Sequence, residues 1–267
     1  MVRRRLDAEL VRRGMARSRE QAQELIDAGR VQVAGTTAKK SATQVDDAAA
    51  LVVVPAAEGP DYVSRGAHKL LGALAAFDPD GRLVAGRRAL DAGASTGGFT
   101  DVLLRAGAEH VIALDVGYGQ LAWSLRTDDR VTVRDRTNLR LVTAQDLPYC
   151  PDLVVADLSF ISLRLVLPVL AAVVAPDADL VLMVKPQFEV GRQALGGGGV
   201  VREPTLRAQA VAAVAQAAHE LRLGTAGVVA SPLPGPSGNV EYFLHLRADA
   251  GPPVPADIHR AVQEGPA

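Results

Sequence analysis

The sequence predicts an α/β protein with a doubly wound, mainly parallel sheet of seven strands, preceded by a small N-terminal domain. Hydrophobic residues make up 48% of the 267 residues, which is enough for a substantial core. Aromatic residues are only 4%, whereas Ala, Val, Leu and Gly are abundant. From Arg87 onward, strand-like and helix-like segments alternate, as they do in parallel sheets covered by helices.

The seven strand-like runs are short and apolar, and helical segments separate most of them. The runs are Arg88–Leu90, Val111–Asp115, Val131–Val133, Leu153–Asp157, Leu180–Val184, Gly227–Ala230 and Tyr242–Leu246. The helical segments are Gly98–Ala106, Ser162–Val174 and Pro204–Leu221. Ligands of such sheets bind at the carboxyl ends of the strands, so the residues directly after each run are the candidates for function.

Composition marks the domain boundaries. Two prolines and a glycine within residues 55–61 disfavour both a helix and a central strand. We therefore take residues 1–59 as the small domain, 60–64 as a linker and 65–250 as the large domain. Residues 251–267 are rich in Pro and Ala, and we predict a disordered tail there.

The N-terminal domain is predicted to contain two helices and two strands. Arg3–Arg13 forms the first helix. Ser18, with Gln21 three residues later, is typical of the N-cap of a second helix that ends at Ala28. The predicted strands are Val31–Val33 and Leu51–Val54.

Positive charge is concentrated in this domain, although the whole chain carries a formal net charge of only −1. Five acids offset ten basic residues in the first forty positions. Such a patch is typical of nucleic-acid binding, but a charged helix in water would have the same composition. The basic residues are Arg3, Arg4, Arg5, Arg12, Arg13, Arg17, Arg19, Arg30, Lys39 and Lys40.

Several classes of protein are disfavoured. The single cysteine, Cys150, excludes an internal disulfide, and we predict that it is buried. The basic start lacks the apolar stretch of an export signal. The most apolar helical stretch, Leu165–Val174, is far shorter than a membrane span. No His and Cys cluster offers a metal site. We expect a soluble, cytoplasmic protein and favour a monomer.

A glycine-rich turn follows the first strand of the large domain. The turn spans Asp91–Phe99, and its glycines let the backbone approach a ligand closely. Asp115 ends the next strand, where it can accept hydrogen bonds from ribose hydroxyls. A nicotinamide dinucleotide fits poorly, because Ser95 replaces the middle glycine and Asp91 would repel a pyrophosphate. A ligand with a methionine sulfonium group is cationic, so the Asp91 carboxylate would not repel it.

Three more charged residues lie at the ends of later strand runs: one ends a run, one directly follows a run, and one directly precedes the last run. These are Asp157, Lys185 and Glu241, and Lys69 lies just after the linker. Each alone could be a surface ion pair or a helix cap. Three charges at the ligand-binding edge of one sheet are harder to explain in that way, because unpaired charges there are costly to desolvate.

The N-terminal domain resembles the αL RNA-binding motif of a ribosomal small-subunit protein, tyrosyl-tRNA synthetases and pseudouridine synthases. The resemblance is carried by Arg4, Leu6, Asp7, Gly14, Ser18, Arg19, Gln21, Ala22, Ile26, Gly29, Val31, Val33, Gly35 and Lys39. It implies phosphate contacts, which give affinity but little base selectivity. The implied RNA-binding residues are Arg4, Arg12, Arg19, Arg30, Lys39, Lys40 and Arg65.

The Asp-x-Gly turn resembles the first motif of class I methyltransferases, which have a Rossmann-like fold. The four charged residues, in their order, resemble the Lys–Asp–Lys–Glu tetrad of FtsJ-type ribose 2′-O-methyltransferases. Further stretches narrow the resemblance to the TlyA family, which is similar to bacterial 16S/23S rRNA (cytidine-2′-O)-methyltransferases. The stretches are Val63–Gly66, Asp157–Phe160, Val184–Glu189 and Gly235–Glu241.

This resemblance covers almost the whole chain and implies a cofactor, a partner and a division of roles. The cofactor is S-adenosyl-L-methionine, and the partner is ribosomal RNA in the 30S and 50S subunits. A lysine can act as a base only if desolvation or a second cation lowers its pKa toward neutrality. We assign Lys185 as that base and Lys69 as its electrostatic partner, with Asp157 and Glu241 holding the geometry. The implied cofactor-binding residues are Asp91, Gly93, Ala94, Ser95, Thr96, Gly97, Gly98, Phe99, Asp115 and, near the adenine, Asp135.

Three alternatives stay open. The same chemistry could act on a different RNA, or the chain could be a ribosome-binding factor without catalysis. Some family members have been labelled haemolysins, so membrane activity is a third.

The sequence also departs from the family pattern. Pro60 and Tyr62 stand where Arg and Trp are frequent. The loop Gly191–Gly199 is unusually rich in glycine, and we interpret it as a flap over the acceptor or a plain connector.

Overall fold

The computed structural model describes residues 3–54, 61–191, 195–235 and 238–266. The chain divides into two compact units, Met1–Arg65 and Gly66–Ala267. The division falls next to the predicted linker at 60–64. Most of the Pro- and Gly-rich break, including Pro60, lies outside the described residues.

The N-terminal unit packs two helices against short strands. Its core is built on Leu6, Leu10 and Ile26, which are almost completely buried. Strand β1 pairs antiparallel with β4, and the order β3-β2-β5 forms a second small sheet. The elements are β1 (Arg3–Arg5), α1 (Leu6–Arg12), α2 (Arg19–Asp27), β2 (Val31–Val33), β3 (Thr36–Thr37), β4 (Gln44–Asp46) and β5 (Leu51–Val53).

The predicted helix start at Arg3 was wrong, whereas the predicted cap of α2 was right. Arg3–Arg5 is extended, because pairing with β4 satisfies backbone groups that the first turn of a helix would leave without partners. The Leu6 amide likewise donates to the Thr43 carbonyl at 2.8 Å. The Ser18 side chain accepts a hydrogen bond from the Gln21 amide at 3.1 Å, as expected of an N-cap.

The larger unit is a seven-stranded sheet in the order β11-β12-β10-β9-β6-β7-β8. Only β12 runs antiparallel to its neighbours, so the prediction of a mainly parallel sheet is confirmed. Its strands are β6 (Arg88–Ala92), β7 (His110–Leu114), β8 (Val131–Arg134), β9 (Leu153–Ala156), β10 (Asp179–Val184), β11 (Gly224–Ala230) and β12 (Tyr242–Arg247). Its helices are α3 (Gly66–Phe77), α4 (Gly98–Arg105), α5 (Trp123–Arg126), α6 (Leu167–Val173), α7 (Pro186–Glu189), α8 (Pro204–Glu220) and α9 (Pro255–Glu264).

The topology creates a crevice beside β6. After β6 the chain moves outward to β7 and β8, and it then crosses back to add β9 on the other side of β6. Every residue of β9 and β10 is buried, as expected for central parallel strands. The carboxyl ends of β6, β7, β9 and β10 therefore meet at the switch point, which is the ligand-binding edge of open α/β sheets.

The prediction of a disordered tail at 251–267 was wrong for the residues that the structure describes there. Helix α9 begins at Pro255, which is well suited to the first helical turn. Ile258, Ala261 and Val262 are buried in the core that α8 and the sheet share. Their spacing of three and four residues forms an apolar stripe, and this pattern outweighs the Pro- and Ala-rich composition.

Two smaller predictions also need correction. Cys150 is exposed, because it lies in the loop before Pro151 and β9 begins only at Leu153. The predicted helix at Ser162–Val174 is a 3-10 turn followed by α6.

Within the described ranges, no helix is both long and apolar enough to cross a bilayer. Those ranges also contain no group of three His, Cys, Asp or Glu side chains arranged to hold a metal ion.

Replacing Ile258 with Ala should lower the free energy of unfolding by about 2–4 kcal/mol, because a buried side chain is removed from a packed core. Val254→Ala is the control, since Val254 is 49% exposed, and it should change stability by about 0.5 kcal/mol or less. Urea unfolding followed by circular dichroism measures both. Equal midpoints for the two variants would show that α9 does not contribute to the core.

Candidate active site

The glycine-rich turn after β6 closes around the acid that follows β7. Gly93 has a φ of +88°, and a Cβ there would lie 2.8 Å from the Asp157 carbonyl oxygen, so only glycine fits. The Ser95 amide donates to Asp115 Oδ2 at 2.9 Å. The Gly117 amide donates to Asp115 Oδ1 at 2.6 Å. Asp115 therefore joins the two loops that border the crevice, and its oxygens keep lone pairs for further donors.

Asp91 lies completely buried beneath this turn. Its Oδ2 accepts a hydrogen bond from Thr100 Oγ1 at 2.6 Å. Its Oδ1 has no hydrogen-bond partner among the described residues. Burial, followed by the carboxylates of Asp157 and Asp115, raises the pKa of Asp91 to about 7. A buried carboxyl with one unpartnered oxygen can accept a cationic or hydrogen-bonding ligand group.

The other residues of the turn that were predicted to bind a cofactor differ in how much of each could face a ligand. Ala94, Thr96 and Gly98 belong to the same turn between β6 and α4. Gly97 has a φ of +98° and packs closely against Leu121 and Leu125. The Phe99 side chain is buried, and its ring centroid lies 6.1 Å from that of Phe243. Phe99 can therefore face a ligand only through its backbone.

Asp135 follows β8 and braces the neighbouring loop. Its Oδ2 accepts hydrogen bonds from Arg126 Nη2 at 2.7 Å and from the Gly119 amide at 3.1 Å. The bond from Arg126 is the main reason that the pKa of Asp135 is lowered. The structure thus gives this side chain a supporting role, and the predicted adenine contact stays a prediction.

The four charged residues singled out in the sequence form two ion pairs, of which Lys69–Glu241 is buried and Lys185–Asp157 is partly buried. Lys69 Nζ donates to Glu241 Oε2 at 2.6 Å. Lys185 Nζ lies 2.5 Å from Asp157 Oδ1. Lys185 Nζ also donates to Ser159 Oγ at 2.9 Å. Both lysine side chains are less than one tenth exposed, so each charge depends on its partner.

The sheet register brings the two ion pairs together. Asp157 and Lys185 follow β9 and β10, which are adjacent parallel strands. Strands β10 and β12 are antiparallel with Val184 opposite Tyr242, so Lys185 and Glu241 come next to each other at the ends of these strands. The predicted clustering of these residues at one sheet edge is therefore present in the structure.

Glu241 is enclosed by the loops on either side of it. Its Oε1 has no hydrogen-bond partner in the described part of the chain. A Cβ on Gly235 would lie 2.5 Å from that oxygen, so glycine is required for this approach. Asn239 accepts a hydrogen bond from the Val201 amide at 2.9 Å and donates to the Gly199 carbonyl at 3.1 Å. These bonds tie the end of the glycine-rich loop to the segment that carries Glu241 and leads into β12.

The predicted flap at Gly191–Gly199 is described only in part. Residues 192–194 lie outside the described residues, as do residues 236 and 237 of the Gly235–Glu241 stretch. Gly197–Gly199 forms a single 3-10 turn. The flap function stays a prediction.

Two aromatic residues at this edge were missed in the sequence analysis. Phe160 follows Asp157 by three residues, and Phe188 follows Lys185 by three residues. Their ring centroids lie 5.4 Å apart. Phe160 is 92% exposed and has a φ of +64°, an unfavourable conformation for a residue with a side chain. The sequence signal that could have identified them is an aromatic residue three positions after a candidate catalytic residue.

Glu189 was also missed, and it connects the two loops that carry these phenylalanines. Its Oε2 accepts a hydrogen bond from Ser162 Oγ at 2.6 Å, and its Oε1 accepts one from the Leu163 amide at 2.7 Å. Arg164 Nη2 donates to the Glu189 carbonyl at 3.2 Å. The loops after β9 and β10 are therefore joined through a buried carboxylate.

The candidate RNA-binding residues all lie in the N-terminal unit. Lys39, Lys40 and Arg65 are exposed. The other four are held by carboxylates within that unit. The pairs are Arg4 with Asp47 at 2.5 Å, Arg12 with Glu9 at 2.6 Å, Arg19 with Asp7 at 2.8 Å and Arg30 with Asp61 at 3.3 Å.

The larger unit has the features of a class I methyltransferase. Its sheet is mainly parallel with one reversed strand, a glycine-rich turn follows the first strand, and an acid follows the second. The N-terminal unit adds a small basic module to this fold. These features together define a class I methyltransferase that is preceded by a small domain rich in arginine.

Comparison with known proteins narrows this class. Residues 62–248 match the FtsJ-like methyltransferase family, and residues 4–49 match the S4 domain. The chain is 60% identical, over 98% of both chains, to "16S/23S rRNA (cytidine-2'-O)-methyltransferase TlyA" of Mycobacterium tuberculosis H37Rv. It is 41% identical to "Putative rRNA methyltransferase YqxC" of Bacillus subtilis 168, over 97% of this chain and 93% of that one.

A solved structure supports the same relationship. "Putative hemolysin from Streptococcus thermophilus" aligns with a TM-score of 0.78 and 38% identity, over 99% of this chain and 96% of that one. The chain therefore belongs to the FtsJ-like methyltransferase family and, within it, to the TlyA family. It is a methyltransferase that carries an S4 domain.

Replacing Gly93 with Ala should damage both stability and ligand binding. The left-handed conformation costs a non-glycine residue roughly 1 kcal/mol, and the new Cβ would also displace the Asp157 backbone. Gly81→Ala is a matched control, because Gly81 has a φ of +71° and open space around it. Thermal unfolding and calorimetric titration with S-adenosylhomocysteine compare the two. The Gly81 variant should bind normally, and the prediction fails if the Gly93 variant does so too.

Proposed function

We propose that this protein methylates the ribose 2′-oxygen of a cytidine in 16S and 23S ribosomal RNA, using S-adenosyl-L-methionine. The observation that carries the proposal is the pair of buried lysine–carboxylate contacts beside the Gly93 turn. The printed activity of the 60% identical mycobacterial relative supports ribosomal RNA as the substrate. The S4 domain supports an RNA substrate independently.

The residues at the turn fit S-adenosyl-L-methionine. When bound, this cofactor supplies a methyl group activated by a sulfonium centre. Asp91 Oδ1 is buried and lacks a partner, which suits a ligand that carries positive charge. The Asp115 carboxylate follows β7, where acids in related folds accept hydrogen bonds from ribose. A pyrophosphate would be repelled by this pair of acids.

Lys185 is the group we assign to remove the proton of the ribose hydroxyl. Asp157 and Ser159 hold its amine in one position at the end of β10. The hydroxyl loses its proton to Lys185 Nζ as the oxygen becomes methylated, so this amine must be unprotonated when the acceptor binds. Lys69, held by Glu241, orients the acceptor and supplies positive charge near the developing oxyanion.

Phe160 and Phe188 support recognition of a base that has left its helix. A ribose buried in a folded rRNA helix cannot reach a recessed lysine, so the target nucleotide has to be turned outward. An exposed aromatic ring offers a stacking surface to any base. The unfavourable backbone of Phe160 indicates that its surroundings hold it in this position.

The first experiment is transfer of radiolabelled methyl from S-adenosyl-L-methionine to 30S and 50S subunits that lack the modification. Mass mapping should place the label on the ribose of a cytidine in each subunit. Cofactor binding without label on either subunit would overturn ribosomal RNA as the substrate and favour a different RNA. Release of dye from lipid vesicles by the pure protein would instead favour membrane activity.

Substitution of Lys185 tests the assigned base. Lys185→Ala should lower the rate of transfer by about 10²–10⁴-fold, because a positioned base is lost. Lys185→Arg retains the ion pair with Asp157 but not an amine that can lose its proton, so it should be nearly as slow. S-adenosylhomocysteine affinity, measured by calorimetry, should stay within a few-fold for both. Near-normal turnover of the arginine variant would remove Lys185 from this role.

Phe160→Ala should lower kcat/KM for rRNA about 5- to 100-fold, because stacking contributes about 1–3 kcal/mol per base. Cofactor affinity should be unchanged. Leu141→Ala is the control, since it also removes an exposed apolar side chain from the same unit. Steady-state methylation of subunits measures both variants, and equal activities would exclude the stacking role.

A further inference from the structure

We propose that two buried carboxylates, Asp7 and Glu9, are positioning residues that hold an outward-facing array of arginines for RNA phosphates. This inference rests on the proposed function, because it assumes that the N-terminal unit binds RNA. On this proposal two acids favour RNA binding, although they carry the same sign of charge as the phosphates.

Asp7 joins two arginines that are distant in sequence. Arg5 donates through Nε to Oδ1 at 3.1 Å and through Nη2 to Oδ2 at 2.9 Å. Arg19 donates through Nη2 to the same Oδ2 at 2.8 Å. The Asp7 side chain is 6% exposed, whereas those of Arg5 and Arg19 are 45% and 59% exposed. The carboxylate therefore lies behind the two guanidinium groups.

Glu9 organises a second set in the same way. Arg12 makes a two-point contact, through Nε at 2.8 Å and Nη2 at 2.6 Å. Arg13 donates to Oε1 at 2.7 Å, but it also donates to the Ala49 carbonyl and so belongs to the fold. Arg4 Nη1 lies 4.0 Å from Oε2. The Glu9 side chain is 1% exposed, whereas those of Arg4 and Arg12 are 38% and 49% exposed. The exposed Asp47 carboxylate lies 2.5 Å from Arg4 Nη1 and 3.5 Å from Arg12 Nη2, so Arg12 keeps more of its outer donors than Arg4 does.

This arrangement suits phosphate binding for a physical reason. A guanidinium has five N–H donors, and the carboxylate uses only those on its inner edge. The outer donors remain for the two-point contact that arginine makes with phosphate. An arginine that is already held loses less side-chain entropy when it binds. Even with Asp47 included, the three acids of the cluster are outnumbered by its five arginines, so the surface stays positive.

Both carboxylates stay ionised while they do this. The hydrogen bond from Arg5 is the main reason that the pKa of Asp7 lies far below its usual range. The bonds from Arg12 and Arg13 lower the pKa of Glu9 to about 2. The arginine array therefore keeps its anchors throughout the pH range in which ribosomes are intact.

The proposal reverses the usual expectation for an acid in an RNA-binding domain. Removing a negative charge near phosphates ordinarily strengthens binding. If Asp7 positions Arg5 and Arg19, Asp7→Asn should weaken binding instead. Glu20→Gln is the matched control, because Glu20 is an exposed acid of the same unit and the charge change is the same.

The experiment compares these variants of the full chain in binding and methylation of ribosomal subunits. Asp7→Asn should raise the Kd and the KM for RNA about tenfold, with kcat and S-adenosylhomocysteine affinity unchanged. Glu20→Gln should bind as well as the original protein or more tightly. Equal or tighter binding by the Asp7 variant would overturn the proposal. Absence of RNA binding by the original protein would instead overturn the proposed function.

A double-mutant cycle separates positioning from loss of folding. Arg19→Ala alone should weaken RNA binding several-fold, and its effect should nearly disappear in the Asp7→Asn background, because the arginine there is no longer held. Arg3→Ala, which changes another exposed arginine, should have the same effect in both backgrounds. Additive effects of Asp7→Asn and Arg19→Ala, or melting of the N-terminal unit in the Asp7 variant by circular dichroism, would overturn the positioning role.

Discussion

The pairing of buried charge is the constraint on which the carboxyl edge of the seven-stranded sheet depends. Lys69 and Lys185 are withdrawn from solvent at the carboxyl edge of the sheet, and each meets a carboxylate. Removing one partner of a fully buried pair, here Lys69–Glu241, is strongly destabilising, by about 3–5 kcal/mol. The strand order, the close approach of Gly235 to Glu241 and the bonds of Asn239 all serve to place these partners together.

The same constraint acts in the N-terminal unit with a different result. Asp7 and Glu9 are buried, and arginines from two helices and a strand surround them. In the methyltransferase unit both members of the Lys69–Glu241 pair are buried, and Lys185 is more deeply buried than its partner Asp157. In the N-terminal unit the acids are recessed and the cations face outward. On the proposals made above, the pairs of one unit would serve methyl transfer and those of the other would serve phosphate binding.

Much of the site could be predicted because strand ends in a parallel sheet converge. Asp91, Asp157 and Lys185 each directly follow or end an apolar run, so the pattern alone predicts that they share an edge. Asp135 and Phe99 show the limit of this reasoning. Their cofactor contacts stay predictions, because Arg126 binds the Asp135 carboxylate and the Phe99 ring packs in the core against Phe243.

The sequence by itself determined the alternation of elements, the glycine turn, the second-helix cap and the four charged residues, because these depend on local backbone preference and spacing. Tertiary structure decided the rest. Arg3–Arg5 became a strand because β4 supplies its hydrogen-bond partners, and α9 formed because the core accepts Ile258. The pairing of Lys69 with Glu241 joins residues 172 positions apart, and only the folded chain brings such groups into contact.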